Sequence, residues 1–390
     1  MYKMMHHKIP AGFRRILSRV RLIMWIWRIV NILILKVWVI TGEEILSKQE
    51  LNIIYIGSEE HKNFLTNLAF GNSYKEDYIG KTWLWSIFKT VKARGNACSL
   101  MVAEVPKSSL MLFGKKKCFY IPFWVRGEVD ISVDISSLIK SESLKSDLRR
   151  ITRNKLHFEL TNEVTQFHNF YHNMYLPYIT KAHGNGAIIM KYDFMKREFR
   201  DCDLLLIKKE EEYIAGVLLA YTKKGARLWC LGVKDGNSDY IKDGAIGALF
   251  YFSVLHLKEK GHKGVNLGGS RTFLKNGILR YKNKWSQHIV GTHKIGFLIK
   301  PLSKTSAVEG FFLNNPFIYV HKNQRNGAIF AEAGQPFSKE DFQKFYKDYY
   351  LNGMSKLFIY RFGQGHSRNC EIVPPEFSGR ITICSAESLF

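Results

Sequence analysis

Three groups of residues in this 390-residue chain have types and spacings that could do chemistry. The first is a glycine-containing turn. A strand-like run, Ala226 to Val233, leads into the loop Lys234 to Asp243, and an apolar helical pattern then runs from Gly244 to Lys260. That order sets a helix amino terminus at the end of a sheet, where unpaired N–H groups and the helix dipole favour a pyrophosphate. Gly244 and Gly247, with Ala245 between them, would let such a ligand approach the backbone closely. The second group is basic. Lys145, Arg149 and Arg153 recur every four residues and share a helix face, with Arg150 and Lys155 close by. Guanidinium groups are shaped to clamp phosphates, and a solvated face is the plainer reading of the same spacing. The third is His183, in Lys-Ala-His-Gly, which could act as a base or cap a turn. Ser270 lacks the G-x-S-x-G elbow that an activated serine of that class needs.

Other chemistry is excluded by spacing. The six cysteines, Cys98, Cys118, Cys202, Cys230, Cys370 and Cys384, form no CxxC pair. Neither a zinc site nor a disulfide framework has the necessary pattern, so no metal is expected and a reducing cytoplasm fits.

The elements that must position these residues read as mixed α/β. Leu51 to Gly57, Ser99 to Val105 and Cys118 to Val125 are strand-like, and His61 to Phe70 is helical. Ser136 to Asn154 reads as one polar helix. Lys155 to Thr161 is a short strand, and the helix carrying Phe167 to Tyr175 should stop near Pro177. Asp203 to Ile207 and Tyr213 to Tyr221 form a hairpin, and Val265 to Leu267 is a strand after the Gly261 helix stop. Farther on, Asn326-Gly327 signals a hairpin turn, Ser338 caps a helix, and Leu357 to Phe362 is a strand. Residues after Gly363 show little periodicity and read as a loosely held tail.

Charge points to partners. Lys and Arg total 58 against 34 acids, a formal net charge of +24, which attracts polyanions such as nucleic acid, anionic membrane or phosphorylated substrates. Residues 1–40 hold eight Lys or Arg and no acid, interleaved with Trp25, Trp27 and Trp38. Arg28, Asn31 and Lys36 break the apolar run, so a membrane-spanning helix and a signal peptide both fit poorly. A basic helix lying at a bilayer surface, or packed on the body of the protein, fits this composition.

From Leu148-Arg149-Arg150 onward the order of segments resembles the GNAT-like domain of Fem-type transferases. The matching landmarks are Tyr-Leu-Pro-Tyr (Tyr175 to Tyr178), Lys-Ala-His-Gly, Ile-Ala-Gly-Val (Ile214 to Val217) and Asp-Gly-Ala (Asp243 to Ala245). The most specific is the run Leu267 to Trp285, ending Arg-Tyr-Lys-Asn-Lys-Trp. The resemblance implies an α/β (α+β) fold, a GNAT-like mixed sheet flanked by helices, in two GNAT-like lobes. With the segments read above, the chain divides into a basic amphipathic helix over residues 1–48, an α/β lobe over 49–133, the acyltransferase domain over 134–300, and a carboxyl-terminal α/β extension and tail over 301–390.

The activity implied is transfer of an acetyl, other acyl or aminoacyl group from a thioester or ester to an amine or hydroxyl on an envelope or polysaccharide precursor. Lys282 matches the lysine beside the reacting centre in Fem-type enzymes, and Tyr281 stands where a tyrosine could protonate a leaving group. Arg271 is the candidate for a phosphate contact. The pyrophosphate turn departs from the usual Arg/Gln-x-x-Gly-x-Gly/Ala pattern. Counting back from Gly247 puts Gly244 in the Arg/Gln place, and from Gly244 it puts Ile241 there. Fem-type enzymes are similar in lacking that pattern, and their donor is aminoacyl-tRNA. The donors in view are therefore acyl-CoA and aminoacyl-tRNA, with tRNA and the inner membrane face as partners. The rival readings are a lipid-directed aminoacyl transferase and a non-catalytic GNAT-like binder of RNA or anionic membrane.

Overall fold

A computed structural model describes residues 33–390 apart from 72, 114–116, 140, 185–186, 223–224, 287, 333 and 364–371. The helix expected over residues 1–48 lies mostly outside that range. Its end is corrected: Ile34–Glu43 is a strand, β1. The run Ile-Leu-Lys-Val-Trp-Val-Ile is rich in β-branched and aromatic side chains, and Val37, Trp38 and Ile40 are buried in the sheet.

The first sheet has the order β3-β1-β2-β4-β13-β5. Its members are β1, β2 (Glu50–Gly57), β3 (Tyr74–Trp83), β4 (Leu100–Pro106), β5 (Phe119–Pro122) and β13 (Ile295–Pro301). Helix α1 (Glu59–Phe70) follows β2, and the short α2 (Ile87–Lys92) follows β3. The second sheet has the order β12-β6-β11-β10-β9-β8-β7. It comprises β6 (Val125–Asp130), β7 (His157–Thr161), β8 (Cys202–Lys209), β9 (Glu212–Thr222), β10 (Gly225–Val233), β11 (Gly264–Ser270) and β12 (His288–Thr292). Around it lie α3 (Glu142–Arg153), α4 (Leu176–His183), α5 (Ala245–Glu259) and α6 (Gly277–Trp285). The helix expected over Ser136 to Asn154 is interrupted, because Ser141 caps α3 by accepting the Leu144 N–H at 3.2 Å.

The two sheets repeat one pairing pattern. From β3 the first sheet pairs antiparallel, antiparallel, parallel, antiparallel, antiparallel. From β8 the second sheet does the same, with β10 and β11 as its parallel pair. The fold is thus a two-lobed mixed α/β body of the kind the resemblance implies.

The lobes exchange strands. The strand read as Cys118 to Val125 is broken at Phe123-Trp124, so that β5 ends in the first sheet and β6 begins in the second. Coming back, β12 ends in the second sheet and β13 enters the first, between β4 and β5. The two crossings lie antiparallel, tied by Phe123 N to Ile295 O at 3.2 Å and His293 N to Trp124 O at 3.0 Å. One bent ribbon, residues 119–130 against 288–301, therefore belongs to both sheets. The lobe boundary set between 133 and 134 moves accordingly: β6 precedes it yet pairs in the second sheet.

The carboxyl-terminal region supplies α7 (Ser306–Asn314), α8 (Lys339–Tyr349) and a third sheet, β14 (Phe317–His321), β15 (Gln324–Ala331), β16 (Lys356–Arg361) and β17 (Ile381–Ser385). The hairpin turn is Lys322-Asn323, both left-handed at φ +48° and +63°, rather than Asn326-Gly327. Gly327 instead pairs with Ile318 inside the ladder, where an added Cβ would stand 2.6 Å from Leu357 Cδ1. The tail is also corrected, since β17 pairs in parallel with β16 and buries Ile381.

Candidate functional site

The parallel pair at the centre of the second sheet is short. β10 and β11 pair at Ala226 with Val265 and Arg227 with Asn266. Just beyond, β10 shifts register against β9 between Leu228 and Leu231, and β11 shifts against β6 between Asn266 and Gly269. Such irregularities bend and twist a strand, and here they separate β10 from β11. Leu228 and Cys230 line one side of the gap and Gly268 and Gly269 the other.

Lys282 enters this gap from α6, whose first turn is held by Asn276 Oδ1 accepting the Leu279 N–H at 3.1 Å. Its Nζ donates to Gly269 O at 3.0 Å. Gly268 has φ +79°, and a Cβ there would stand 2.8 Å from Leu228 O and 3.4 Å from Lys282 Nζ. Glycine is thus what lets strand, strand and ammonium come together. Burial lowers Lys282 to about 8, and the Cys230 thiol opposes this weakly. Cys230 itself is pushed up to about 12 by burial, beside the Tyr175 hydroxyl, which accepts the Met190 N–H at 3.0 Å. Tyr175 ends a π-helical turn, Phe170–Tyr175, whose backbone lies against Gly232 of β10. Neither Tyr175 nor Cys230 was a candidate site residue from sequence. Cys230 meets Lys282, and Tyr175 meets Cys230, where the strand is irregular, and that irregularity has no sequence period.

Tyr281 does not join Lys282. Its hydroxyl donates to Asp147 Oδ2 on α3 at 3.1 Å, and burial followed by the Asp147 charge raises its pKa. The cofactor glycines also face α3. A Cβ on Gly247 would lie 2.9 Å from Asp147 Cβ, and one on Gly244 3.0 Å from Arg150 Cβ. Their smallness therefore lets α3 pack closely, and Ala245 is buried with them. Arg149, Arg150 and Arg153 are exposed on α3, with Arg150 Nη1 3.7 Å from Asp147 Oδ1. His183 is the last residue of α4, which runs on through Pro177 instead of stopping there. The preceding π turn loosens the hydrogen-bond ladder where a proline would otherwise clash.

Arg271 lies elsewhere, at the seam between the lobes. Its guanidinium sits 4.0 Å from the Phe64 ring centroid and 4.3 Å from that of Trp124, and Nη2 donates to His61 Nδ1 at 3.4 Å. Nη1 is buried without a protein partner, as is Ser270 Oγ. Burial lowers Arg271 to about 10. Burial, then the charges of Arg271 and His293, hold His61 down to about 3, so it is neutral and accepts from the arginine. Nearby, burial raises Glu104, which accepts from Ser58 N at 2.9 Å, Ser58 Oγ at 2.8 Å and the Tyr55 hydroxyl. Tyr55, His61, Glu104 and Trp124 were not singled out from sequence, since 210 positions separate His61 from Arg271. Among the described residues no group of three or more His, Cys, Asp or Glu could hold a metal ion.

No family model and no curated protein matches the chain. Among solved structures it is similar to the C-terminal domain of a putative lysylphosphatidylglycerol synthetase from Agrobacterium fabrum, with TM-score 0.36 and 15% identity over 70% of this chain and 84% of that one. It is similar to L-PGS from Bacillus licheniformis, with TM-score 0.35 and 13% identity over 67% and 81%. A third is FemX, with TM-score 0.34 and 14% identity over 65% and 81%.

Proposed function

We propose that the chain is an acyltransferase working at the gap between β10 and β11, with Lys282 as the group that handles the proton. The observation that carries this reading is a lysine of pKa about 8, anchored to Gly269 O where these central strands diverge. Near neutral pH a useful fraction of such an amine is uncharged. It keeps an N–H for Gly269 O and has a lone pair to accept a proton. The acceptor amine or hydroxyl attacks the donor carbonyl, a C–N or C–O bond forms, and the ester C–O or thioester C–S bond breaks. The acceptor's proton passes to Lys282, which as an ammonium faces the developing oxyanion and then protonates the leaving oxygen or sulfur.

The donor proposed is the ester of an aminoacyl-tRNA. Gly244 and Gly247 are taken up by packing on α3, which favours an ester donor over acyl-CoA, and a charge of +24 suits RNA. Arg149, Arg150 and Arg153 are proposed to meet its phosphates, and Arg271 Nη1 to meet a phosphate of donor or acceptor. The acceptor class is an envelope or polysaccharide precursor bearing an amine or hydroxyl.

The test is transfer from aminoacyl-tRNA and from acetyl-CoA, run in parallel on the parent and on Lys282→Met. The variant should lose about 100-fold or more in kcat/KM with the preferred donor. In the parent, kcat/KM should rise with pH and level off above an apparent pKa of about 8. Full activity in Lys282→Met would sink the role given to Lys282, and no transfer from either donor by the parent would leave a binding protein as the better reading.

A further inference from the structure

The first lobe leaves aromatic and aliphatic side chains exposed along a mainly basic stretch of chain. Trp83 and Trp85 stack at 4.9 Å, and are 42% and 57% exposed. Met111 and Leu112, 90% and 60% exposed, stand on a neighbouring 3-10 turn, Lys107–Phe113. Helix α2, which begins two residues after Trp85, meets this turn through Phe88 and Phe113, with ring centroids 5.8 Å apart. Large apolar side chains left in solvent together mark an interaction surface, and a stacked indole pair is costly to leave there.

Charge identifies what covers it. Residues 78–119 hold eight Lys or Arg, among them the exposed Lys81, Lys89 and Lys92. Their one acid is Glu104, which is buried and bonded to Tyr55 and Ser58. The chain also enters the fold here, since Ile34 pairs with Trp83. The 32 residues before Leu33 add seven Lys or Arg, no acid, and Trp25 and Trp27. Indoles settle at headgroup depth, aliphatic tips reach the acyl boundary, and lysines meet anionic lipid. An RNA surface would satisfy the lysines and leave Met111 and Leu112 with nothing apolar to touch.

We infer that the exposed Trp83, Trp85, Met111 and Leu112, with the basic residues of this stretch of chain, dock the protein on an anionic phospholipid bilayer. The docking does not depend on the reaction at Lys282. It adds a rigid surface to the flanking basic segment, so membrane contact fixes how the first lobe is oriented.

Flotation of the full chain with vesicles of phosphatidylcholine, and of equimolar phosphatidylcholine and phosphatidylglycerol, tests it. Two double variants on separate elements are used, Trp83→Gln with Trp85→Gln, and Met111→Asp with Leu112→Asp, each checked for an unchanged melting temperature. The parent should bind the anionic vesicles and not the neutral ones. Each variant should lose about tenfold or more in anionic-vesicle affinity while binding tRNA as the parent does. Parent-like vesicle binding in either variant overturns the inference. So does a parallel loss of tRNA binding, which would make these residues a nucleic-acid surface.

Discussion

A helix turns by about 100° per residue, so side chains at adjacent positions leave it in different directions. That is why Lys282 reaches Gly269 O on β11 while Tyr281 reaches Asp147 on α3. Lys282 was legible as a candidate from the run Arg-Tyr-Lys-Asn-Lys-Trp, and Tyr281 came from the same resemblance, as the tyrosine that could protonate a leaving group. The seam cluster was illegible for the opposite reason, as His61 and Arg271 meet only after both lobes form. His61 carries a residue-scale prediction. Its folded value of about 3 lies below the unfolded 6.5, so below pH 6.5 the unfolded chain binds a proton that the fold excludes. His61 therefore contributes a loss of stability as pH falls from 6.5 toward 3. His61→Asn should flatten that stretch of the stability-versus-pH curve measured by urea unfolding. An unchanged curve would show that the imidazole is not held neutral.

At the scale of elements, glycine spacing told correctly where α5 begins and gave no sign of the helix that packs on it. Gly244 and Gly247 stand where α3 crosses, and the sequence holds no mark distinguishing a glycine that admits a helix from one that admits a phosphate. Gly247→Ala should therefore cost about 1–3 kcal/mol, because its methyl meets Asp147 Cβ in a packed contact. The check is a lower urea midpoint with an unchanged slope. A midpoint equal to the parent's would mean that α3 yields freely and that the glycine is kept for another reason. Pro177 and Asn326-Gly327 did mislead. Each residue type is usually a punctuation mark, but a π turn accommodated the first and Leu357 crowding required the second.

At the scale of the molecule, two lobes were expected from the family resemblance, whereas the pairing pattern they share left no repeat in the sequence. The exchange of strands was not readable either, because pairing between segments 160 to 180 residues apart leaves no period in the sequence. That exchange has a thermodynamic consequence. A ribbon shared by both sheets means neither sheet can lose its strand of that ribbon without disturbing the other. Thermal unfolding should then be one transition, with tryptophan fluorescence and far-ultraviolet circular dichroism melting together. Two separated transitions would show that the ribbon does not couple the lobes.

The same ribbon sets a timetable on the ribosome. β5 cannot pair with β4 directly, since β13 lies between them, and β13 ends at Pro301. After β5 emerges, the nascent first lobe waits on the order of ten to forty seconds of translation for its missing strand. Through that interval the edges of β4 and β5, rich in Val, Ile and Phe, stay open to other chains. Newly made protein should need shelter then, and a slowed ribosome lengthens the exposure rather than helping the fold.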